Sequence, residues 1–476
     1  MDDSAPLVTD ARPSVSTWTP RESALVVGTA VVDITPPVGI RAHNWGAARI
    51  GHATGVHRPL TASALAIFDA EASAGQWRYI VTADLGWWQS IAVYSGVFDP
   101  IAEALGASNQ TLLLHLVHTH AGPSLAEGEL GLPGSALVEP YRARLVQAII
   151  DACVTAREAA ISQVVTWAYG HCDMAVNRDF ACGDREVLAF NPASEADDTV
   201  VVGRFSNPSG EITGVLVNYA CHPTTLAHEN SLLSPDFIGA TRELVETATK
   251  VPCFFFQGAS GDLSPREQYT PGVEVADRHG RSLGHAVLST LETMGSPATR
   301  LEFEGVVESG APLGIWHPQP ARPNGHTEFL SGTVEVECRP VLTVDELATR
   351  WAGIDPFAAT ERISRSERLA DGYRNGLMAE HPVWVWQLGD AVFVAQPGEA
   401  FSKLQTELRE RFPERTIVVL NLTNGPGFMY LPPFETYDVD SYQVWQTLLA
   451  RGGLERVIEY AASLIAALPA PRAVTA

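Results

Sequence analysis

The chain has 476 residues, of which 46% are hydrophobic and 18% charged, so it is long and apolar enough to bury a sizeable core. Its formal net charge of −23 repels nucleic-acid phosphates and anionic lipids, and it disfavours a strongly anionic substrate unless the site has its own cations. The sequence has no long uncharged apolar window and no secretion signal, so we expect a cytoplasmic protein with no stable membrane insertion.

Strand-like runs and helical periodicity alternate along the chain. Residues 1–22 are polar and rich in Pro, Ser and Thr, so we expect a flexible N-terminal arm before one folded domain at 23–476. The predicted strands lie at residues 63–69, 78–83, 111–117, 163–169, 199–205, 213–220, 251–257, 301–308, 383–395 and 416–421. The predicted helices lie at residues 137–161, 235–250, 274–294, 343–353, 357–379, 400–411 and 441–467. This alternation predicts the α/β class, with a mixed β-sheet core flanked by helices.

Three local patterns refine this prediction. Residues 383–395 form a predicted hairpin that turns at Gly389 and Asp390. The helix at 235–250 has Ser234 as its predicted N-cap residue, with the following proline at its first position. Residues 309–341 are rich in Pro and Gly and predict a long irregular loop, of the kind that forms the lid or rim of a site.

The most informative motif is the pair His118 and His120, which follows an apolar run and is itself followed by Ala-Gly-Pro. Because side chains alternate along a strand, residues two positions apart project into the same space. His115, within the run, is interpreted as a core histidine. A second apolar run ends at His222, so the two runs together predict a metal site at the strand ends. Imidazole suits zinc, copper, iron and nickel alike.

Three later turns carry further polar side chains. The turn that contains Ser264 lacks the Gly-x-Ser-x-Gly pattern, so it is weak evidence for a serine nucleophile. Glu399 follows a Pro-Gly turn and fits either a metal ligand, a general base or the first-turn acid of a helix. Tyr430 and Tyr442 follow a Gly-Pro-Gly loop. One interpretation is a metal site, because a tyrosine beside a cation can bind it as phenolate. The other is an aromatic-rich surface loop.

Together these motifs resemble the catalytic domain of the neutral, non-lysosomal ceramidases, zinc amidases that cleave an N-acyl sphingosine. The resemblance extends from about residue 25 to residue 467, and the motifs occur in the family's order. They are Ile34-Thr-Pro-Pro, Thr82-Ala-Asp84, His118-Thr-His120-Ala-Gly-Pro, Asn177-Arg178, Asn218-Tyr-Ala-Cys-His222, Gly261-Asp-Leu-Ser264-Pro, Pro397-Gly-Glu399 and the segment Asn424 to Tyr442. We expect the family's catalytic domain over 23–476 without its C-terminal immunoglobulin-like domain.

The resemblance also implies a cofactor and a role for individual residues. The cofactor is Zn²⁺, and the implied ligands are His118, His222, Glu399 and Tyr430. The residues implied to act on the substrate are His120, Arg178, Ser264 and Tyr442, with Glu399 also helping to move a proton.

The predicted function is therefore zinc-dependent hydrolysis of a linear amide, an N-acyl amine. The acidic surface and the lack of a lipid-binding element favour a small-molecule substrate that is smaller or more soluble than ceramide. Three alternatives stay open: a metal-dependent ester, carbamate or lactam hydrolase, a metal-free serine hydrolase that uses Ser264, and a non-catalytic binding protein stabilised by a closed metal site. The sequence predicts no nucleic-acid partner, and it leaves the oligomeric state open.

Overall fold

The computed structural model describes residues 7–8, 15–69, 75–126, 132–340, 342–369, 377–425 and 429–469. The strands, in chain order, are β1 (Leu7–Val8), β2 (Thr17–Trp18), β3 (Arg21–Asp33), β4 (Gly55–Val56), β5 (Thr61–Asp69), β6 (Gln76–Ala83), β7 (Leu112–Leu116), β8 (Ile161–His171), β9 (Ala175–Asn177), β10 (Asp179–Cys182), β11 (Arg185–Leu188), β12 (Thr199–Ser206), β13 (Ile212–Tyr219), β14 (Leu232–Leu233), β15 (Cys253–Gln257), β16 (Leu263–Pro265), β17 (Thr299–Val307), β18 (Leu313–Pro320), β19 (Thr327–Glu337), β20 (Met378–Leu388), β21 (Ala391–Ala395), β22 (Glu399–Ala400), β23 (Thr416–Leu420) and β24 (Tyr430–Leu431). The α-helices are α1 (Ile91–Leu105), α2 (Val138–Glu158), α3 (Phe237–Thr249), α4 (Val273–Glu292), α5 (Val344–Arg350), α6 (Pro356–Arg368), α7 (Lys403–Arg411), α8 (Tyr442–Trp445) and α9 (Gly453–Ala467). Among the helices of these residues, none combines the length and apolar content that a membrane crossing needs.

An eight-stranded mixed sheet lies at the centre, in the order β15-β13-β12-β8-β3-β5-β6-β7. The outermost pairs β13–β15 and β6–β7 are parallel, and the pairs between them are antiparallel. Side chains alternate between its faces. On β5, Ala62 and Ala64 pack in the same cluster as the apolar sides of α1 and α2, whereas Leu65 and Ile67 pack towards a second sheet.

The second sheet has the order β19-β20-β21-β23 and continues the layering. On β21, Phe393 and Ala395 face the central sheet, and Val392 and Val394 join the cluster formed with α7 and α9. The layers are therefore helix, sheet, sheet and helix, and the fold class predicted from the sequence is confirmed. Such layering buries both faces of each sheet and leaves the strand ends available for a site.

Most predicted elements are present. Each predicted strand overlaps an observed one, and β20 and β21 form the predicted hairpin with Gly389 at φ 61° in its turn. Strands β1 and β2, which lie within the predicted N-terminal arm, pair with β17. The boundary between this arm and the domain stays a prediction.

Two helix predictions are wrong in part. Helix α1, capped by the Ser90 side chain, was not predicted, since Pro100 interrupts its pattern. The predicted helix over 441–467 is divided into α8 and α9, with Gly452 at φ 88° immediately before α9. At the start of α3, Asp236 rather than Ser234 is the N-cap residue, because the Asp236 carboxylate accepts the first helical N–H.

The predicted irregular loop at 309–341 is wrong as well. Most of this segment belongs to β18, which pairs with β17, and to β19, which pairs with β20. Trp316 lies on β18, and its ring packs edge-on against Phe303 at 5.5 Å between ring centres. Gly332 lies in the middle of β19 and Pro318 within β18, so the Pro and Gly content did not prevent strand pairing, and the lid prediction has no support here.

Candidate metal centre and active site

The predicted site residues follow the ends of several strands. Strand β7 ends at Leu116, so His118 and His120 lie just beyond the strand end, and the alternation of strand side chains does not set their directions. His118 has φ 71°, a left-handed conformation that is uncommon for a residue with a side chain. Its backbone N–H donates to the Leu85 carbonyl oxygen, which fixes the turn. Backbone strain of this kind tends to be kept where a side chain must point in a particular direction.

Backbone pairing brings together the two predicted ligands from the C-terminal half. Strands β22 and β24 form a small parallel sheet in which Glu399 is the register partner of Tyr430. The Glu399 N–H donates to the Met429 carbonyl oxygen at 2.8 Å. The carboxylate and the phenol therefore leave adjacent strands at the same level, although 31 positions separate them (430 − 399).

Donor atoms of three predicted ligands converge on one point. The Nε2 atoms of His118 and His222 are 3.1 Å apart, and each is 3.1 Å from Oε2 of Glu399. The Tyr430 hydroxyl lies 3.2 Å from Nε2 of His222. Tetrahedral zinc with ligands at about 2.0–2.1 Å would separate its donor atoms by roughly 3.3 Å. The spacing of His118, His222 and Glu399 fits a single metal ion of that size, and the Tyr430 hydroxyl lies next to them.

The positions of the ring hydrogens of His118 and His222 also favour a metal ion at this point. Nδ1 of His118 is 2.9 Å from the Gly86 carbonyl oxygen, and Nδ1 of His222 is 2.6 Å from that of Ser260. A carbonyl oxygen only accepts, so each Nδ1 carries the hydrogen, and a neutral ring then presents its Nε2 lone pair. Burial lowers the pKa of His222 to about 3, with Arg178 acting in the same direction, which keeps that ring neutral. Two lone pairs and a carboxylate oxygen face one another, an arrangement that a cation stabilises.

The three histidines of the site form a second possible set of metal ligands. One nitrogen from each of His118, His120 and His222 lies within 4.8 Å of the others, so the three histidines alone could hold a metal. Among the described residues, however, Nδ1 of His120 is buried and has no hydrogen-bond partner. Histidine ligands normally donate their second N–H to a carbonyl or carboxylate, as His118 and His222 do. We therefore place His120 beside the metal centre, with His118, His222 and Glu399 as ligand candidates.

Arg178 closes the site from the side of Tyr430. Its side chain is 1% exposed, and Nη2 donates to the Tyr430 hydroxyl at 3.0 Å and to the Gly261 carbonyl oxygen at 2.8 Å. Nε donates to the same carbonyl oxygen at 3.1 Å. Neither the Gly261 carbonyl group nor a neutral Tyr430 hydroxyl offsets the positive charge of this guanidinium, which lies beside the predicted ligands.

The two remaining predicted residues lie in different surroundings. Ser264 is fully buried on β16, and within the described part of the chain its hydroxyl has no hydrogen-bond partner, histidine included. Tyr442 is half-buried at the start of α8, with its ring centre 5.5 Å from that of Tyr430. Ser264 thus lacks the adjacent base that a serine nucleophile needs, whereas Tyr442 is partly exposed and packs next to Tyr430.

Sequence reasoning missed several residues of the site. The ring of His120 lies between Trp45 and Trp87, at 5.0 and 5.2 Å between ring centres. Arg365 of α6 donates from Nη1 to the Tyr442 hydroxyl at 3.0 Å. These residues come from separate segments without a shared motif, so no local signal in the sequence marked them.

The Thr82-Ala-Asp84 motif has a structural role next to the site. Asp84 is fully buried and forms a two-pronged salt bridge with Arg242 of α3, at 3.0 and 2.6 Å. It also accepts the Thr61 N–H at 2.7 Å. The residues that follow Asp84 supply the carbonyl oxygens that bind the backbone and ring of His118. The ion pair therefore fixes the segment that orients the first predicted ligand.

The histidine predicted to belong to the core is confirmed. His115 is fully buried, its Nε2 accepts the Gln257 N–H at 2.9 Å, and Nδ1 lies 3.1 Å from the Thr423 hydroxyl. Burial lowers the pKa of His115 to about 3. This histidine joins β7 to β15 and takes no part in the metal centre.

Comparison with known proteins agrees with the layered fold and the convergent histidines. The family model described as neutral/alkaline non-lysosomal ceramidase, N-terminal, matches residues 25–270. The chain belongs to the neutral/alkaline non-lysosomal ceramidase family, as its motifs predicted. No curated protein sequence matches it.

Two solved structures share its fold. The neutral ceramidase from Pseudomonas aeruginosa has 17% sequence identity and a TM-score of 0.66, over 95% of this chain and 75% of that one. A ceramidase complexed with C2 has 16% identity and a TM-score of 0.64, over 95% of this chain and 76% of that one. The present protein therefore has the ceramidase-family hydrolase fold.

Proposed function

We propose that this protein is a zinc-dependent amidohydrolase that cleaves a linear amide, an N-acyl amine smaller or more soluble than ceramide. The observation that carries the proposal is the convergence of His118, His222 and Glu399, whose facing atoms are 3.1 Å apart. Membership of the ceramidase family supports hydrolysis at an amide bond. The choice of zinc rests on the imidazole and carboxylate donors and on their tetrahedral spacing.

A zinc ion in such a site lowers the pKa of water towards ~7 and polarises a carbonyl group. The protein's own residues supply the remaining functions. His118, His222 and Glu399 would hold the ion, with Tyr430 as the fourth ligand, and the Glu399 carboxylate would accept a proton from the water.

The substrate carbonyl needs hydrogen-bond donors that are already in place. The Tyr442 ring lies 5.5 Å from that of Tyr430, and Nε2 of His120 lies 3.4 Å from Nε2 of His118, so both side chains border the predicted metal centre. Donors aimed at a developing oxyanion typically contribute about 10²–10³ in rate each. Arg178 keeps Tyr430 in position and raises the positive potential on the same side.

The geometry disfavours two alternatives. Metal-free catalysis by Ser264 requires a base, and its buried hydroxyl has no such neighbour in the described ranges. A closed structural site would need a fourth protein ligand, but Nε2 of His120 only borders the centre, 3.4 Å from Nε2 of His118, and its Nδ1 lacks the hydrogen-bond partner of a histidine ligand among the described residues. Ester, carbamate and lactam hydrolysis would use the same residues, and family membership favours the amide.

Metal analysis combined with activity assays tests the proposal. Protein purified without added metal should contain about one zinc per chain, and a chelator should abolish cleavage of N-acyl amines. His118→Ala and His222→Ala should lose both metal and activity. His228→Ala is the matched control, since His228 is an exposed histidine outside the centre. Full metal content in both ligand variants would overturn the ligand assignment.

A further inference from the structure

A partly exposed cation, Arg365 of α6, lies beside the candidate site in a protein whose formal net charge is −23. Nη1 of Arg365 donates to the Tyr442 hydroxyl at 3.0 Å, and the guanidinium carbon is 5.6 Å from the Trp87 ring centre. Trp87 in turn lies 5.2 Å from the His120 ring centre. One aromatic ring therefore separates Arg365 from His120.

Arg365 retains unused hydrogen-bonding capacity. Nε donates to Glu361, one turn earlier on α6, at 2.7 Å, and Nη2 donates to the Asn44 carbonyl oxygen at 3.2 Å. The side chain is 21% exposed. Each terminal nitrogen of a guanidinium has a further N–H group, and the planar fork matches a carboxylate in a bidentate manner. The site thus presents a partly solvated carboxylate-binding group at its entrance.

Arg365 forms a salt bridge with Glu361, and a second cation of α6 lies beside it. Arg362, one turn earlier, stacks on Trp351 and Trp445 at 4.5 and 4.8 Å, and in the ranges described here it pairs with no carboxylate. Arg178 donates to the Tyr430 hydroxyl and to the Gly261 carbonyl oxygen. Burial, with Asp262 acting in the same direction, raises the pKa of Asp179 to about 7, so this neighbour of Arg178 is partly neutral near pH 7.

Helix α6 is held over the mouth mainly by polar contacts. Ser366 is the buried residue among its described side chains, so the helix contributes little to the apolar core. Arg365 and Glu361 tie it to the rim through the contacts already given. A positively charged rim on an acidic protein focuses the electrostatic field and draws anionic ligands into the cleft.

We infer that Arg365 binds a carboxylate of the substrate, and that the preferred substrates are N-acyl amino acids. The inference deepens the proposed function and rests on it. Because Arg365 touches Tyr442, the predicted oxyanion donor, the acid group must lie within a few bonds of the scissile amide. An amino acid in amide linkage places its carboxylate at that distance, and the aromatic rings of Trp45 and Trp87 can receive the apolar acyl chain.

The reaction needs no further reactant. The C–N bond of the amide breaks and a C–O bond to the water oxygen forms. One hydrogen of the water stays with the acyl product, and the other is transferred to the nitrogen of the released amino acid. The products are a carboxylic acid and a free amino acid.

The test compares N-dodecanoylglycine with its neutral isostere, N-dodecanoylglycinamide. The zinc-loaded enzyme should cleave the acid with a kcat/KM at least about tenfold higher, because a charge-assisted bidentate contact is lost in the amide. Arg365→Gln should lose this preference by slowing cleavage of the acid, and Arg365→Lys should keep part of it. Arg350→Gln is the matched control, since Arg350 pairs with Asp440 and does not contact Tyr442.

Binding provides an independent measurement. The non-cleavable pair 4-oxopentadecanoic acid and its primary amide replaces the scissile nitrogen by a methylene group and can be titrated calorimetrically into the protein as purified. The acid should bind at least about tenfold more tightly, and Arg365→Gln should abolish the difference. Preference in binding without cleavage of either glycine compound would support carboxylate recognition and defeat the proposed hydrolase.

Two results would overturn the inference while leaving the proposed function intact. One is equal or faster cleavage of the neutral amide by the native enzyme. The other is an equal loss for both substrates in Arg365→Gln, which would mean that Arg365 acts only by positioning Tyr442.

Discussion

Arg178 and Tyr430 are joined by a 3.0 Å hydrogen bond in which the buried guanidinium donates to the phenol oxygen. An arginine side chain can only donate, so the tyrosine hydrogen must point elsewhere or be absent. Burial raises the pKa of Tyr430, whereas Arg178 lowers it, so the arginine favours the phenolate that a metal would bind. Tyr442 has the same relationship with Arg365, which places two arginine–tyrosine pairs around one centre.

Replacement of Arg178 by Met should reduce kcat/KM by about 10²–10³ while the zinc content stays near one per chain, because the residue stabilises charge and is not a ligand. Arg178→Lys should recover little, since an ammonium group lacks the planar fork that reaches Gly261 and Tyr430 together. Kinetics and metal analysis on the same preparations provide the check. Loss of zinc together with activity would show that the arginine holds the centre together.

The buried pair Asp84–Arg242 should be essential for stability. Asp84→Asn leaves the arginine without its charge partner, and breaking a buried pair from one side costs about 3–5 kcal/mol in the free energy of unfolding. The exposed pair Arg278–Glu267 is the control, with an expected effect of about 1 kcal/mol or less on loss of one partner. Urea denaturation measures both, and similar costs for the two pairs would refute the role assigned to Asp84.

Ser264 should not be a nucleophile. Ser264→Ala removes a buried hydroxyl that has no partner in the described structure, so kcat/KM should fall by no more than about tenfold, the value of one neutral hydrogen bond to substrate. The native protein should also resist labelling by fluorophosphonates. A labelled Ser264, or activity that survives chelation of the metal, would revive the serine hydrolase.

His115 should remain neutral well into the acid range. Its pKa in the folded state is about 3, and the unfolded chain titrates near about 6.5. The unfolded state therefore binds the extra proton as the pH falls from about 6.5 to 3, and stability is lost across that window by up to about 1.4 kcal/mol per pH unit. Histidine-selective NMR should show His115 unprotonated at pH 5. Titration of His115 above pH 5 would contradict the buried arrangement.

The sequence contained enough information to predict the class and most of the site. Apolar runs and turn residues marked the strands, and the resemblance of the motifs to one family indicated which side chains converge. What it lacked was information on distant packing. The register of Glu399 opposite Tyr430 and the left-handed turn at His118 arise from contacts between segments far apart in the chain.

The position of Arg365 beside the site likewise could not be predicted from the sequence. The helix that carries Arg365 was predicted from its own periodicity, but nothing in that periodicity indicates that it lies against Tyr442 and Trp87. Residues 309–341 show the opposite error, since their Pro and Gly content suggested a loop although pairing with β17 and β20 makes them strands. In both cases the partner that decides the structure is distant in the sequence.

Anomalous diffraction at the zinc edge, from crystals of the protein purified without added metal, tests the central claim most directly. The account predicts a single strong peak about 2.0–2.2 Å from Nε2 of His118, Nε2 of His222 and the Glu399 carboxylate. A peak elsewhere in the molecule, or no peak in crystals of active protein, would contradict it.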